Sequence, residues 1–205
     1  YGQEKNLNTW SICKMALFLH EIEKASIKRG DSIADPKFTD GDKLRSFDIV
    51  VANPPFSLKK WGHQMWKKSG DNFGRIKYGI PPKGYGDMAF VQHMIASLKP
   101  HGKMAVVVPN GVLFRGGAEH IIRKGIINDD LIEIIVSLGL NLFYGASIPA
   151  SIIFINKHKP PNRKGQILLI NAEKEYVAGT AQNHLGKENI ERIIAAAEKY
   201  EDIPY

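Results

Sequence analysis

A chain of 205 residues, 43% of them hydrophobic, holds enough apolar material for one sizeable core, which excludes a disordered polymer and favours a single globular domain. Its 28 Lys and Arg against 21 Asp and Glu give a formal charge of +7, a balance that suits an acidic partner such as nucleic acid. The one cysteine, Cys13, rules out an intrachain disulfide framework and no metal-ligand spacing is present; with no run of ~18 apolar residues and no signal-peptide pattern, a cytoplasmic protein without metal or membrane contact is expected.

Residues 8–24 carry Trp10, Ile12, Cys13, Met15, Ala16, Leu17, Phe18, Leu19 and Ile22 around most of a helical wheel. That pattern predicts a largely buried helix with Asn8 as its cap and Cys13 as an ordinary buried thiol. Gly30-Asp31-Ser32-Ile33 closes a short strand ahead of a turn-rich stretch over 34–43. Next comes Phe47-Asp48-Ile49-Val50-Val51-Ala52, short, β-branched and without alternation, as expected of a strand covered on both faces of a parallel sheet. It stops at Asn53-Pro54-Pro55, where two prolines offer no backbone donor and Pro54 biases Asn53 away from helical geometry, so the chain leaves the sheet as a stiff extended turn.

Residues 57–86 have weak periodicity and many Gly, Lys and aromatic residues, and so predict a long loop of the kind that carries function. Asp87 is placed to cap a helix through Leu98, with Met88, Val91, Met94 and Ile95 near helical spacing. Strands are expected over 103–109, 131–138, 151–156 and 166–171, helices over 119–125 and 187–200, and a Pro- and Lys-rich bend over 157–164. Strands alternating with helices predict an α/β three-layer sandwich with a mostly parallel sheet, one domain over 1–205 that contains the basic aromatic loop 57–86.

Ligands of open α/β sheets bind beyond the carboxyl ends of the strands, which is where Asn53-Pro54-Pro55-Phe56 falls. The Asn53 side-chain carbonyl and the Pro54 backbone carbonyl are acceptors that a rigid Pro-Pro turn can aim at one NH2 group. The exocyclic amine of adenine is a poor nucleophile, because its lone pair is delocalised into the ring. Two preorganised acceptors would draw it toward tetrahedral geometry and stabilise the charge that develops on nitrogen. Phe56 supplies a stacking face for a base extruded from the duplex.

The segment resembles motif IV of the amino-methyltransferases in its adenine-N6 form. The likeness extends to Tyr1-Gly2-Gln3-Glu4 with the helix through Trp10 and His20, to Gly84-Tyr85-Gly86-Asp87-Met88-Ala89-Phe90, to Pro109-Asn110-Gly111-Val112-Leu113-Phe114-Arg115-Gly116-Gly117, and to Ile148 with the strand after it. In that order they resemble the modification subunit of type I restriction-modification systems. The resemblance implies a Rossmann-like fold, S-adenosylmethionine as methyl donor, double-stranded DNA as substrate, and a specificity subunit and a restriction subunit as partners. It makes Glu4 the acid that holds the ribose hydroxyls of the cofactor and Asp31, with Ser32 beside it, the contact to its adenine; Asn53 borders both substrates. The family's glycine-rich cofactor motif, expected ahead of Glu4, is not in this sequence. The chain therefore reads as an N-terminally incomplete catalytic domain, expected to bind the cofactor weakly or not at all, to be inactive alone, and to risk self-association through unpaired strand edges.

Between positions 59 and 83 lie Lys59, Lys60, Lys67, Lys68, Arg75, Lys77 and Lys83 against the single acid Asp71, interleaved with Trp61, Trp66, Phe73 and Tyr78. This composition suits a phosphate-binding segment with aromatic surfaces for bases or sugars, and a DNA-binding role is expected of Lys59, Lys60, Lys67, Lys68, Arg75 and Lys77. Two other functions stay open. The same pair of acceptors suits methylation of a glutamine side-chain amide in a protein, although Phe56 and the basic loop favour DNA; a non-catalytic DNA-binding or assembly fragment is the second.

Overall fold

In the computed structural model, which describes residues 1–143 and 148–202, a short parallel ribbon precedes the main sheet. Strands β1 (Gly2–Glu4) and β2 (Ile27–Arg29) pair in parallel and are joined by α1 (Leu7–Leu19). Asn6, not Asn8, caps this helix, accepting from the Asn8 and Thr9 amides. The expectation of a largely buried helix is also corrected. No residue of α1 is buried, and Ile12, Met15, Phe18 and Leu19 stand 65–79% exposed, because the three-residue strands beneath are too short to cover the apolar face. Cys13 is half-buried. A small antiparallel hairpin of β3 (Thr39–Asp40) and β4 (Lys43–Leu44) fills the turn-rich stretch.

The main sheet has five strands: β5 (Phe47–Ala52), β6 (Leu98–Pro109), β7 (Ile132–Leu138), β8 (Ala150–Asn156) and β9 (Leu168–Ala172), in the spatial order β5-β6-β8-β7-β9. β5 and β6 are parallel, as are β7 and β9, while β8 runs against both β6 and β7, so four of the five strands point the same way. Helix α2 (His63–Ser69) lies within the expected loop, α3 (Asp87–Ala96) and α5 (Ala118–Asn128) flank the single-turn α4 (Gly111–Phe114), and α6 (Lys187–Lys199) comes last.

Period-two alternation sorts the strands onto two faces. Met104, Val106 and Val108 of β6 and Ile153 and Ile155 of β8 pack under Met88, Val91, Met94 and Ile95 of α3 and Ile122 and Ile126 of α5. On the opposite face Ile134, Val136 and Leu138 of β7 meet Ile193 and Ala197 of α6. Burying each such side chain is worth roughly 1.5–3 kcal/mol, enough to fix the register of the whole sheet. Here the α/β sandwich has its three layers. β5 departs from the expectation of cover on both faces: Ile49 is 72% and Val51 70% exposed. No ladder joins β5 to the β1–β2 ribbon among the described residues, and between them runs a trench of about 400 Å³ lined by Gly2, Gln3, Ser32, Pro36, Phe38, Val51, Ala52 and Phe90.

Residues 57–86 do not form an open loop. Trp61 and Trp66 are 1% exposed, meet edge to face at 5.1 Å, and pack with Ile33 and Ala89 as a second small core. The Trp61 indole donates to the Pro82 carbonyl at 3.0 Å. A Cβ at Gly86 would stand 2.7 Å from that of Trp61, so only glycine admits this approach at the start of α3. Trp61 and Trp66 are thus core residues and not stacking surfaces for bases.

Candidate functional site

β5 delivers Asn53 to the carboxyl edge of the sheet, and the segments after β6 and β7 emerge at the same edge. Asn53 is exposed and Phe56 half-buried. Each proline restrains the residue before it, so Pro54 holds Asn53 and Pro55 holds Pro54 in extended conformations. Among the described residues neither the Asn53 amide nor the Pro54 carbonyl enters an intramolecular hydrogen bond, which leaves both acceptors available to a ligand.

The turn is tied down one residue later. Ser57 adopts φ +51°, uncommon for a residue with a side chain, and its amide donates to Oδ1 of Asp87 at 2.7 Å. Asp87 is buried at the first position of α3, after the cap residue Gly86; its carboxylate serves the Asn-Pro-Pro turn and not the α3 amides, which corrects the expected capping role. Oδ2 of Asp87 accepts from Nη2 of Arg115 at 2.9 Å, and Arg115 also grips the buried carboxylate of Glu119 through Nε and Nη2. Burial lifts the Asp87 carboxyl above the usual carboxylate range, against the Ser57 amide and the Arg115 guanidinium that pull it down. The carboxylates of Glu119 and Asp87 push Arg115 up. Arg115 further lies over the Tyr85 ring at 4.3 Å.

Phe143, after β7, meets Phe56 edge on, with ring centroids 5.8 Å apart. A hairpin-like loop braces the segment that carries it: Val177 bridges His184, Gln182 donates to the Leu142 carbonyl at 2.9 Å and Asn183 to the Leu140 carbonyl at 3.0 Å. Sequence reasoning does not single out Phe143; the available signal was an aromatic residue just past a buried strand that ends at the same edge as β5.

The residues expected to hold a cofactor lie at the ends of the ribbon. Oε1 of Glu4 accepts the Asn6 amide at 2.6 Å, leaving Oε2 free to accept from hydroxyls. Asp31 accepts the amides of Ile33 and Ala34 and pairs with Lys5 at 2.8 Å; despite partial burial its carboxyl sits below the usual range, held down by Lys5 and the two amides. Three of about four acceptor positions of that carboxylate are thereby used. Ser32 borders the trench, as do Ala52 and Phe90. The structure thus brings Ser32 and the end of β5 to one cavity, while Glu4 stands on the separate ribbon.

Of the six basic residues expected to bind DNA, Lys59, Lys60, Lys67, Lys68 and Lys77 are exposed. Lys67 and Lys68 occupy the last turn of α2, where the helix dipole also favours them, and Lys77 pairs with Asp129. Arg75 is a correction. It is 3% exposed, its guanidinium grips Asp71 and donates to the Ser32 and Ile33 carbonyls, and no free donor face remains for a phosphate. The acid four residues earlier was the signal that this arginine was already paired. No helix is long and apolar enough to cross a membrane, and no cluster of three or more metal-ligating residues occurs, among the described residues.

The family described as N-6 DNA Methylase matches residues 1–205. The chain is 38% identical over 214 residues to the type I restriction enzyme MjaVII methylase subunit of Methanocaldococcus jannaschii, covering 99% of this chain and 36% of that protein. It is 39% identical over 176 residues to the HindI methylase subunit of Haemophilus influenzae, covering 85% of this chain and 38% of that one. The solved type I restriction-modification methyltransferase subunit of Streptococcus thermophilus superposes with a TM-score of 0.87 at 33% identity, over 99% of this chain and 42% of the other. The chain therefore spans little more than a third of the length of these curated relatives.

Proposed function

From the premise that the chain belongs to the N-6 DNA methylase family, we propose that it carries the base-side half of a DNA adenine-N6 methyltransferase acting in the cytoplasm as part of a type I restriction-modification assembly. One observation carries the reading: two free carbonyl acceptors, on Asn53 and Pro54, stand together at the sheet edge on a turn that two prolines stiffen. An adenine amine presented there donates one hydrogen to the Asn53 side chain and one to the Pro54 carbonyl. The proline turn fixes the Pro54 dipole before the reaction and the Asn53 side chain stands unbonded beside it, so the positive charge that develops on nitrogen is met with little reorganisation. Phe56, in edge-on contact with Phe143, supplies aromatic surface to a base turned out of the duplex.

S-adenosylmethionine supplies, when bound, an electrophilic methyl group. The donor set fits it: the free oxygen of Glu4 suits vicinal hydroxyls, and the remaining acceptor position of Asp31, with Ser32 beside it, suits an adenine amine. Lys59, Lys60, Lys67 and Lys68 contact DNA phosphates. Double-stranded DNA is the substrate, and the specificity and restriction subunits of the assembly are the partners. Membership in a DNA methylase family supports this over methylation of protein glutamine.

The test incubates the full-length enzyme, assembled with its partner subunits, with methyl-labelled S-adenosylmethionine and either DNA or protein. Label on the N6 of adenine is expected; label on glutamine side chains alone overturns the reading.

A further inference from the structure

Resting on that reading, we infer that Asp87, backed by Arg115 and Glu119, is a positioning residue that sets the aim of the two amine-binding carbonyls through the Ser57 amide. The observations are geometric. Ser57 lies one residue past the Asn-Pro-Pro-Phe turn and takes φ +51°, a conformation that costs a side-chain-bearing residue free energy and persists only when its surroundings impose it. The imposing contact is the 2.7 Å hydrogen bond from its amide to Oδ1 of Asp87. Asp87 cannot swing away, because its other oxygen holds Arg115 at 2.9 Å and its side chain is 2% exposed.

Arg115 is fixed in turn. Its fork grips Glu119, whose side chain is 1% exposed, and its face covers Tyr85, while the missing Cβ of Gly111 leaves room for Nη1. The backbone of this segment is pinned by Arg123, which donates to the Val112 carbonyl at 3.0 Å and the Arg115 carbonyl at 2.8 Å. A rigid path of hydrogen bonds thus runs from α5 through Arg115 and Asp87 to the turn. Two buried carboxylates share one guanidinium here, an arrangement that a packing role alone does not call for. Asp87 touches no reacting atom; it acts through Ser57.

The test uses the full-length assembled enzyme, with kcat read on unmodified DNA and base extrusion read on a second duplex that carries 2-aminopurine, which has no N6 amine, in place of the target adenine. In Asp87→Ala the turn relaxes, and kcat is expected to fall about 100-fold, the scale of a misplacement near 1 Å. KM for DNA and cofactor, and the 2-aminopurine signal, stay within about threefold of wild type, because binding surfaces are untouched. Adding Ser57→Gly removes the left-handed penalty, so the double variant regains about fivefold in kcat. Arg115→Ala moves kcat in the same direction as Asp87→Ala. Hydrogen exchange at the Ser57 amide, faster in Asp87→Ala, reads the anchor without turnover. The inference is overturned if kcat of Asp87→Ala is unchanged, if kcat, base extrusion and melting temperature fall together, or if Ser57→Gly restores nothing. Failure of the wild-type enzyme to label adenine strikes the broader reading instead; an unchanged Ser57 exchange rate strikes only this one.

Discussion

The two flanks of the site are built differently. On the base side, the Asn53–Pro54 acceptors stand on a five-stranded sheet with helices on both faces, and the turn is held by a buried carboxylate. On the cofactor side, Glu4 ends one three-residue strand and Asp31 lies two residues past another, under a helix without one buried residue. The chemistry explains the contrast. Acceptors that must meet developing charge work only if fixed beforehand, whereas a ribose contact tolerates adjustment on binding. On the proposed function, preorganisation is concentrated where the transition state would form.

Arg75 links the flanks alongside the packing of Ile33 on Trp61 and Trp66, and removing it is the harshest test of the contrast. Arg75 belongs to the base-side segment yet donates to the Ser32 and Ile33 carbonyls of the cofactor side. Arg75→Ala leaves Asp71 buried and unpaired, and should destabilise the protein by about 3–5 kcal/mol in urea denaturation. Exchange at the Ile33 and Ala34 amides should quicken more than exchange in β6. Equal acceleration in both would mean that the two flanks unfold as one unit.

Legibility in the sequence follows the same division. The main sheet was readable because Val106 to Val108, Ile134 to Val136 and Ile152 to Ile155 are apolar runs with no other physical use than a buried strand. The Asn53 turn was readable because two successive prolines leave few conformations. The tryptophans of 57–86 were not: an aromatic residue beside lysines serves equally as stacking surface or core, and only Gly86, which lets Trp61 close on the start of α3, decides for core. α1 failed in the opposite sense, since its wheel is apolar but nothing described here covers it. The Asp87 to Ser57 hydrogen bond spans thirty positions and leaves no local pattern.

A more selective test removes the base-side acceptor itself. Asn53→Ala in the full-length enzyme should lower kcat about 10²–10³-fold, the loss typical of one preorganised dipole. Because Asn53 is exposed, the melting temperature should not move. On the other flank, Glu4→Gln weakens a single charge-assisted contact and should raise the cofactor Kd about tenfold with kcat unchanged at saturation. If Glu4→Gln lowers kcat as much as Asn53→Ala does, the cofactor side is as preorganised as the base side and the contrast fails. Calorimetry on the 205-residue chain sharpens it further: binding of S-adenosylmethionine much weaker than micromolar is expected of a ribbon that, among the described residues, shares no ladder with β5.

The smallest effect per residue belongs to the lysines. Lys59, Lys60, Lys67 and Lys68 are exposed and, among the described residues, pair with no carboxylate, so neutralising them costs no folding free energy beyond a few tenths of a kcal/mol. On the proposed function, their contribution is to DNA binding. Each phosphate contact releases counterions, and four of them steepen the dependence of log K on log salt by about 3.6 for duplex DNA. Changing all four to Gln should flatten the slope by up to that amount while leaving sequence preference intact, since phosphate contacts position the duplex and do not read it. Arg75 offers the internal control. It lies in the same basic stretch but is buried against Asp71, so Arg75→Ala should alter stability and leave the salt slope alone. A flattened slope in Arg75→Ala, or an unchanged one in the quadruple variant, would place the DNA track on a different surface of the domain.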